Sequence, residues 1–346
     1  MVEISWPAIL RTLFVAIVTL VFVYCLLGIL VTGPVVVRPG LLELDLDVSP
    51  QRLKSSVETL CRDFAPRDFE HTENLDRAAM WIAGKFRETG LDVETQEYVL
   101  AEGRYRNVVA HRQGSDPDAG VKIIGAHYDA YRDYAGANDN ASGVAVLLEL
   151  ARTLSQDTPR GARYFVAFST EEPPFFGSED MGSHVFAKSL VDRSVPVDMM
   201  VALDLVGYYS DKPGSQRFPV PGLRWLYPDK GNFVAVVGDL GSGASIRQIK
   251  REMRSTRAIE VHSFRAPAAV AGVDWSDHFS FRKLGLPGVL VTDTAFMRYS
   301  HYHTPLDTPE KLDYERMAQL VVALHAVFLD AARTDADADA DADAGS

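Results

Sequence analysis

Between Ile123 and Glu172 the chain reads Ile-Ile-Gly-Ala-His127-Tyr-Asp129, then Gly-Ala-Asn-Asp139-Asn-Ala-Ser-Gly143, then Phe-Ser-Thr-Glu171-Glu172. Two further residues of the same chemistry follow, Asp204 in Val-Ala-Leu-Asp-Leu-Val and His303 in Tyr-His-Thr-Pro-Leu-Asp. Imidazole nitrogen and carboxylate oxygen are zinc donors, and a catalytic zinc takes about three protein ligands while keeping one position open. His127, Asp139, Glu172, Asp204 and His303 are too many for one ion. They suit two zinc ions if one carboxylate bridges a pair about 3.5–4 Å apart. Of the adjacent glutamates, one can face metal while the other takes a proton from the attacking water and passes it to a leaving amine.

Each of these residues has a bland alternative. His127 alone could be a strand-end histidine satisfied by a carbonyl, but its two-residue spacing to Asp129 favours a site. Asp139 also suits the N-cap of a helix starting at Asn140, a role compatible with metal binding. Glu171 and Glu172 sit between an apolar strand and Pro173-Pro174-Phe175-Phe176, where paired like charges want a cation. Asp204 lies within an apolar run, where an unpartnered carboxylate is costly. His301 competes with His303 as a ligand, and His184 and His262 read as ordinary histidines.

The elements that must position these side chains read as an α/β fold, a doubly wound and mostly parallel sheet covered by helices. Val121–Ala126 is a short apolar run that fits a buried strand, with His127 and Asp129 where it gives way to loop. In open α/β sheets the working crevice lies outside the carboxyl ends of the strands. Further strand patterns run over 91–100 and 105–112 (a hairpin turning at Gly103), 164–168, 197–206, 233–237 and 287–291. Helical patterns run over 144–154, 177–190, 242–254 and 309–332. Asn74 reads as the cap of a helix with Leu75, Ala78, Ala79, Ile82 and Phe86 on one face and Gly90 as its stop. Residues 208–230, rich in Pro, Gly and aromatics, read as an inserted loop able to wall a pocket.

Length and composition set the outer bounds. A chain of 346 residues with 47% apolar content can bury one large core, here expected over 51–333. The formal charge is −12, and removing the five aspartates of the 334–346 tail leaves −7, so nucleic acid is not an expected partner. With Cys25 and Cys61 alone, no disulfide framework is possible. The Ala-Asp tail has nothing to bury and reads as disordered. Residues 13–33 form an uncharged apolar run, preceded by a short segment 1–12 and followed by a linker over 34–50. At about 1.5 Å per residue its length matches the roughly 30 Å of a bilayer core, so a single-pass membrane helix is expected. No small-residue cleavage site follows it. Arg11 and Arg38 nearly balance, and the expected orientation, with the catalytic domain on the outer side, rests on the lack of other basic residues near either end.

The order His-x-Asp, Gly-x-Asn-Asp-x-x-Ser-Gly, Glu-Glu, Asp and His-Thr-x-x-Asp resembles the co-catalytic di-zinc aminopeptidases, whose family also contains glutamate carboxypeptidase and the glutaminyl cyclases. The match runs from about Asn74 to Ala332 and points to a membrane-anchored, bacterial-type member. The resemblance implies a zinc exopeptidase acting on the amino ends of peptides. It makes Asp139 the bridging ligand, His127 and Asp204 the rest of one zinc site, and Glu172 and His303 the rest of the other. It implies Glu171 as general base, Asp129 supporting the ligands from outside, and Tyr302 as a donor to the oxyanion. Ser276-Asp277-His278-Phe279 also resembles a family segment, where Asp277 supports the site. Pro173-Pro174-Phe175-Phe176 departs from the usual Gly-Leu turn, which bears on pocket shape. The alternatives are a single-zinc glutaminyl cyclase, whose segment between glutamate and Gly-Ser is usually longer, and a non-catalytic membrane-anchored binding module. No ligand of the set is missing.

Overall fold

Ser49 opens the first helix after the N-terminal segment by accepting a hydrogen bond from the Arg52 amide at 3.3 Å, with Pro50 next to it. The computed structural model describes residues 6–37 and 44–329, so part of the expected linker and the whole Ala-Asp tail lie outside the described residues. In chain order it shows α1 (Trp6–Thr32), α2 (Pro50–Asp63), α3 (Thr72–Glu88), the hairpin β1 (Asp92–Val99) and β2 (Arg104–Arg112), β3 (Val121–His127), α4 (Ser142–Leu154), β4 (Arg163–Phe168) and α5 (Gly182–Asp192). There follow β5 (Val197–Leu203), β6 (Val234–Gly238), α6 (Gly243–Ser255), β7 (Val261–Arg265), α7 (His278–Lys283), β8 (Val289–Thr292) and α8 (Tyr314–Phe328).

The eight strands form one sheet in the order β1-β2-β4-β3-β5-β8-β6-β7. The centre, β4-β3-β5-β8, is parallel. The β1–β2 hairpin joins it antiparallel through β4, and β6 runs antiparallel to β8. The sheet is thus parallel where the site residues leave it and mixed at its flanks.

Alternation along the strands sends side chains to two cores. Ile124, Phe165, Val201 and Val236 face α2, α3, α4, α6 and α8, whereas Ile123, Val166, Met200 and Val237 face α5 and α7. Helices on both faces make the fold doubly wound. Helix α4 is buried along nearly its whole length, and truncating its Leu147 to Ala would cost about 2–5 kcal/mol. The sequence reading missed α2, although Leu53, Val57, Leu60 and Cys61 are buried at helical spacing. It also missed the short β7 and α7.

Two local expectations need correction. Helix α3 starts at Thr72, and the side chain of Asn74 donates to the Pro66 carbonyl at 3.0 Å instead of capping. Helix α4 starts at Ser142, not Asn140, and the cap-like acceptor is the side chain of Asn140, which takes the Gly143 amide at 3.0 Å. Asp139 is therefore spared from capping, and its carboxylate faces elsewhere.

Helix α1 is exposed over most of its length but docks its last turns on the domain. The Thr32 carbonyl accepts from Lys250 Nζ at 2.8 Å and from Ser263 Oγ at 2.6 Å.

Candidate active site

The carboxyl ends of β3, β4 and β5 converge, and each delivers an acidic or imidazole side chain. His127 ends β3, fully buried. Asp204 follows β5, and Glu171 and Glu172 come three and four residues after β4 ends at Phe168. Asp139 arrives from the loop between β3 and α4, and His303 from the loop before α8. All are nine-tenths or more buried except His303, whose side chain is 24% exposed.

Asp139 stands between the two histidines. One oxygen, Oδ1, lies 3.4 Å from His127 Nε2, and the other, Oδ2, lies 3.0 Å from His303 Nε2. His127 Nε2 is also 3.4 Å from Asp204 Oδ1 and 3.8 Å from Glu171 Oε2, while His303 Nε2 is 3.3 Å from Glu172 Oε2. Ligand atoms close enough to share one ion fall into the sets His127–Asp139–Asp204 and Asp139–Glu172–His303, with His127–Glu171–Glu172 as a third grouping. The first two share Asp139. His301 joins no such set among the described residues, so of the two histidines near Tyr302 it is His303 that faces the carboxylates.

Several contacts hold this arrangement. Asp129 Oδ2 accepts the Glu172 amide at 3.0 Å, and the Asp129 carbonyl lies 3.2 Å from His127 Nδ1, which fixes the other ring nitrogen towards the cluster. The His303 ring is sandwiched between Tyr131 at 4.0 Å and Tyr302 at 3.9 Å between ring centres. Asp277 is fully buried near the cluster. Gly136 has a φ of +59°, and a Cβ there would sit 2.5 Å from the Asp139 carbonyl oxygen, so the loop carrying Asp139 needs glycine at that turn.

Electrostatics mark the cluster as one built for cations. Burial pushes the Glu172 carboxyl up to about 8, reinforced by the neighbouring charge of Asp139, and it pushes Asp277 up to about 7. Glu171 and Asp204 are raised for the same reason. Burial also opposes ionisation of Asp139, but hydrogen bonds from His127 and His303 outweigh it and hold that carboxyl well below its usual range. Burial disfavours the charged form of His303, yet Asp139 and Glu172 raise it to about 10. Glu172 Oε1 is buried with no hydrogen-bond partner, an unmet need that a metal ion would satisfy. Two imidazoles and at least three carboxylates converging without a buried Lys or Arg among them fit zinc chemically.

Sequence reasoning passed over the residues behind this layer. Asp307 accepts the amides of Asn138 at 2.8 Å and Asp139 at 3.1 Å and the Tyr299 hydroxyl at 2.8 Å, tying the Asp139 loop to the loop that carries His303. Its place in the His-Thr-x-x-Asp string was the available signal. Fully buried Arg67 donates to the carbonyls of Leu60, Tyr128, Ala135 and Gly136, bracing both loops that carry His127, Asp129 and Asp139. Nothing in the sequence around Arg67 announced that role.

The cluster floors one end of a cavity of about 390 Å³. The other end is apolar, walled by Phe218, Leu223 and Tyr227 from the 208–230 segment, Phe264 from β7 and Phe296. Tyr302 lines it between the two ends. His262 also lines it, and burial lowers its pKa to about 4, so the ring is neutral at pH 7.

Residues 107–327 match the sequence profile of Peptidase family M28. The chain belongs to peptidase family M28. It is 43% identical over 281 residues to the Escherichia coli (strain K12) protein YfbL, covering 79% of this chain and 85% of that one. It is 32% identical over 280 residues to a probable zinc metalloprotease of Leptosphaeria maculans, covering 72% of this chain and 63% of the fungal protein. The fold is similar to that of the Legionella pneumophila LapA aminopeptidase, with a TM-score of 0.64 at 20% identity over 81% of this chain and 71% of that one. It is equally similar to a Porphyromonas gingivalis glutaminyl cyclase, with a TM-score of 0.63 at 19% identity over 82% and 99%. This M28 chain is therefore zinc-metallopeptidase-like, with the fold shared by aminopeptidases and glutaminyl cyclases.

Proposed function

We propose that this M28 chain is a di-zinc aminopeptidase that removes N-terminal residues from peptides. The observation that carries the reading is the placement of Asp139, whose two oxygens face two separate donor sets. His127, Asp139 and Asp204 would hold one zinc, and Asp139, Glu172 and His303 the other. The ions, when bound, supply Lewis acidity towards the substrate carbonyl and the attacking water.

The chain's own groups do the rest. Glu171 lies beside His127 but outside the two sets that share Asp139, and it takes the proton released as water attacks the carbonyl carbon. As the C–N bond breaks it returns that proton to the leaving amine. Tyr302, held flat against His303, donates its hydroxyl hydrogen to the developing oxyanion. Asp129 and Asp277 orient the ligands from behind. The apolar end of the cavity takes the substrate's side chain, excluding water from around it. Helix α1 anchors the catalytic domain to a membrane, with the domain on the outer side.

The test is metal content and substrate class measured on one preparation of the full chain. The reading expects two zinc equivalents and release of N-terminal residues from aminoacyl amides. One tightly held zinc with cyclisation of N-terminal glutamine would replace it with the glutaminyl cyclase reading. Full metal content with neither activity would leave a binding module.

A further inference from the structure

Helix α1 is long and apolar enough to cross a membrane from Ile9 to Thr32, yet its last two turns do not stand free of the domain. The Tyr24 hydroxyl donates to the Gly222 carbonyl at 3.2 Å, and its ring meets Trp225 edge-on at 6.4 Å. Gly28 packs beside Leu226, and Arg265 Nε donates to the Leu30 carbonyl at 3.0 Å. From Tyr24 to Thr32 the helix advances about 12 Å at 1.5 Å per residue. The segment Val220-Pro-Gly-Leu-Arg-Trp-Leu226 therefore runs alongside the end of the span, not above it. Trp225 is 69% exposed and Val220 49%.

Charge changes sign one step further out. Gly243–Arg257, covering α6 and the turn after it, carries Arg247, Lys250, Arg251, Arg254 and Arg257 against the single acid Glu252, in a chain whose net charge is −12. Lys250 is fixed on the carbonyls of Thr32 and Gly33, which places α6 at the level where the span ends. Val220–Leu226 carries one charge, Arg224, whose guanidinium lies 5.0 Å from the centre of the Trp225 ring, so an exposed tryptophan paired with an arginine, beside the basic residues of α6, has the order of a membrane-surface anchor.

We propose that Val220–Leu226 is a second membrane contact, inserted into the bilayer beside α1 with α6 resting on anionic lipid headgroups. The proposal rests on α1 being a membrane span. Arg224 keeps this segment at the interface, its stem in the apolar layer and its guanidinium reaching the headgroups, with Trp225 in the interfacial aromatic belt. Leu223 of this segment and Tyr227 just after it line the cavity, so this contact sets the substrate pocket against the lipid surface. The occupant is the bilayer itself, since the segment is continuous with the anchor's own docking face.

Depth-dependent quenching tests this on the full chain in phosphatidylcholine–phosphatidylglycerol vesicles with brominated acyl chains. In a chain keeping only Trp225 (Trp6→Phe, Trp81→Phe and Trp275→Phe), the emission should fall by about half or more relative to unbrominated vesicles, whereas a chain keeping only Trp275 should be nearly unaffected. Equal quenching of the two, or free access of aqueous iodide to Trp225, overturns the proposal. Should the triple variants not fold, the wild type against Trp225→Phe gives the same reading, because the lipid-quenchable fraction must drop when Trp225 is lost. Vesicle flotation separates the two ways to fail. Protein that does not float refutes the span and the proposal together, and floating protein with unquenched Trp225 refutes the proposal alone.

Discussion

The two ends of the cavity are built on opposite principles. At one end His127, Asp139, Glu171, Glu172, Asp204 and His303 come from five different segments, and contacts between segments hold them, as Asp139 is held by Asp307, Glu172 by Asp129 and His303 by Tyr131. At the other end Phe218, Leu223, Tyr227 and Phe264 present apolar surface, with one side-chain hydrogen bond among them, from the Tyr227 hydroxyl to the Ser263 carbonyl at 2.6 Å. Polar groups out of water are costly unless each finds its partner, so removing one at the first end leaves others unmet. Apolar area is lost roughly in proportion to what is cut away. The first end should thus fail as a unit, and the second should change by degrees.

The harshest break of that contrast is Asp139→Ala. Both zinc equivalents should be lost together and kcat/KM should fall by more than about 10³-fold, beyond the 10–100-fold typical of outer supporting groups. Metal analysis and kinetics on the same sample check this, and loss of only one ion would split the cluster into independent halves. A step smaller is Asp307→Asn, which touches no proposed ligand atom. It should lower activity by about 10–100-fold with the fold intact by circular dichroism, because the amides of Asn138 and Asp139 lose their ionised acceptor.

Metal removal sharpens the electrostatic side. In the chelated protein, burial raises Glu172 to about 8 and Asp277 to about 7, from ordinary carboxylate values near 4. Groups whose pKa is raised on folding favour the folded state at low pH, and that contribution is lost as pH rises through the folded value. His303, raised to about 10, adds in the same direction from about 6.5 upwards. Depressed Asp139 opposes it only at low pH. The melting temperature of the metal-free chain should therefore fall between about pH 5 and 9, and zinc should flatten that slope. A metal-free protein equally stable across the range would contradict the shared-burial picture.

At the gentle end stands Phe218→Ala. For substrates with a bulky apolar N-terminal residue, kcat/KM should fall by about 10-fold, in line with the 1–3 kcal/mol a pocket gains from such contacts, while alanyl substrates change little. Steady-state assays on the two substrate types measure the ratio. Loss on both alike would make the far wall part of the catalytic machinery.

The same contrast explains what the sequence made legible. The convergence of His127, Asp139, Glu172, Asp204 and His303 at strand ends was readable because a strand end is a local event and imidazole and carboxylate side chains announce their chemistry. The β1–β2 hairpin and α4 were readable from periodicity within a residue or two. The bracing by Arg67 was not, since its four acceptors are backbone carbonyls that carry no side-chain signature. Nor was the left-handed backbone at Thr170, Leu205 and His303, each at or beside a site residue, because no glycine marks it. The reversed direction of β6 against β8 also escaped, as its apolar run reads alike in either sense. The wall at 208–230 showed its composition but not which residues would face the cavity.

The adjacent glutamates test the central claim most directly, because they differ by one position and are assigned different work. Glu171→Gln keeps size and hydrogen bonding while removing the proton carrier, so turnover should fall by about 10² or more with both zinc ions retained. Glu172→Gln removes a charged ligand oxygen, so zinc should be lost from one site and added zinc should restore part of the rate. Metal content and kcat determined together on both variants give the answer. Retention of both ions by Glu172→Gln with loss of metal from Glu171→Gln would reverse the two roles, and near-normal rates in both would contradict the hydrolytic mechanism outright.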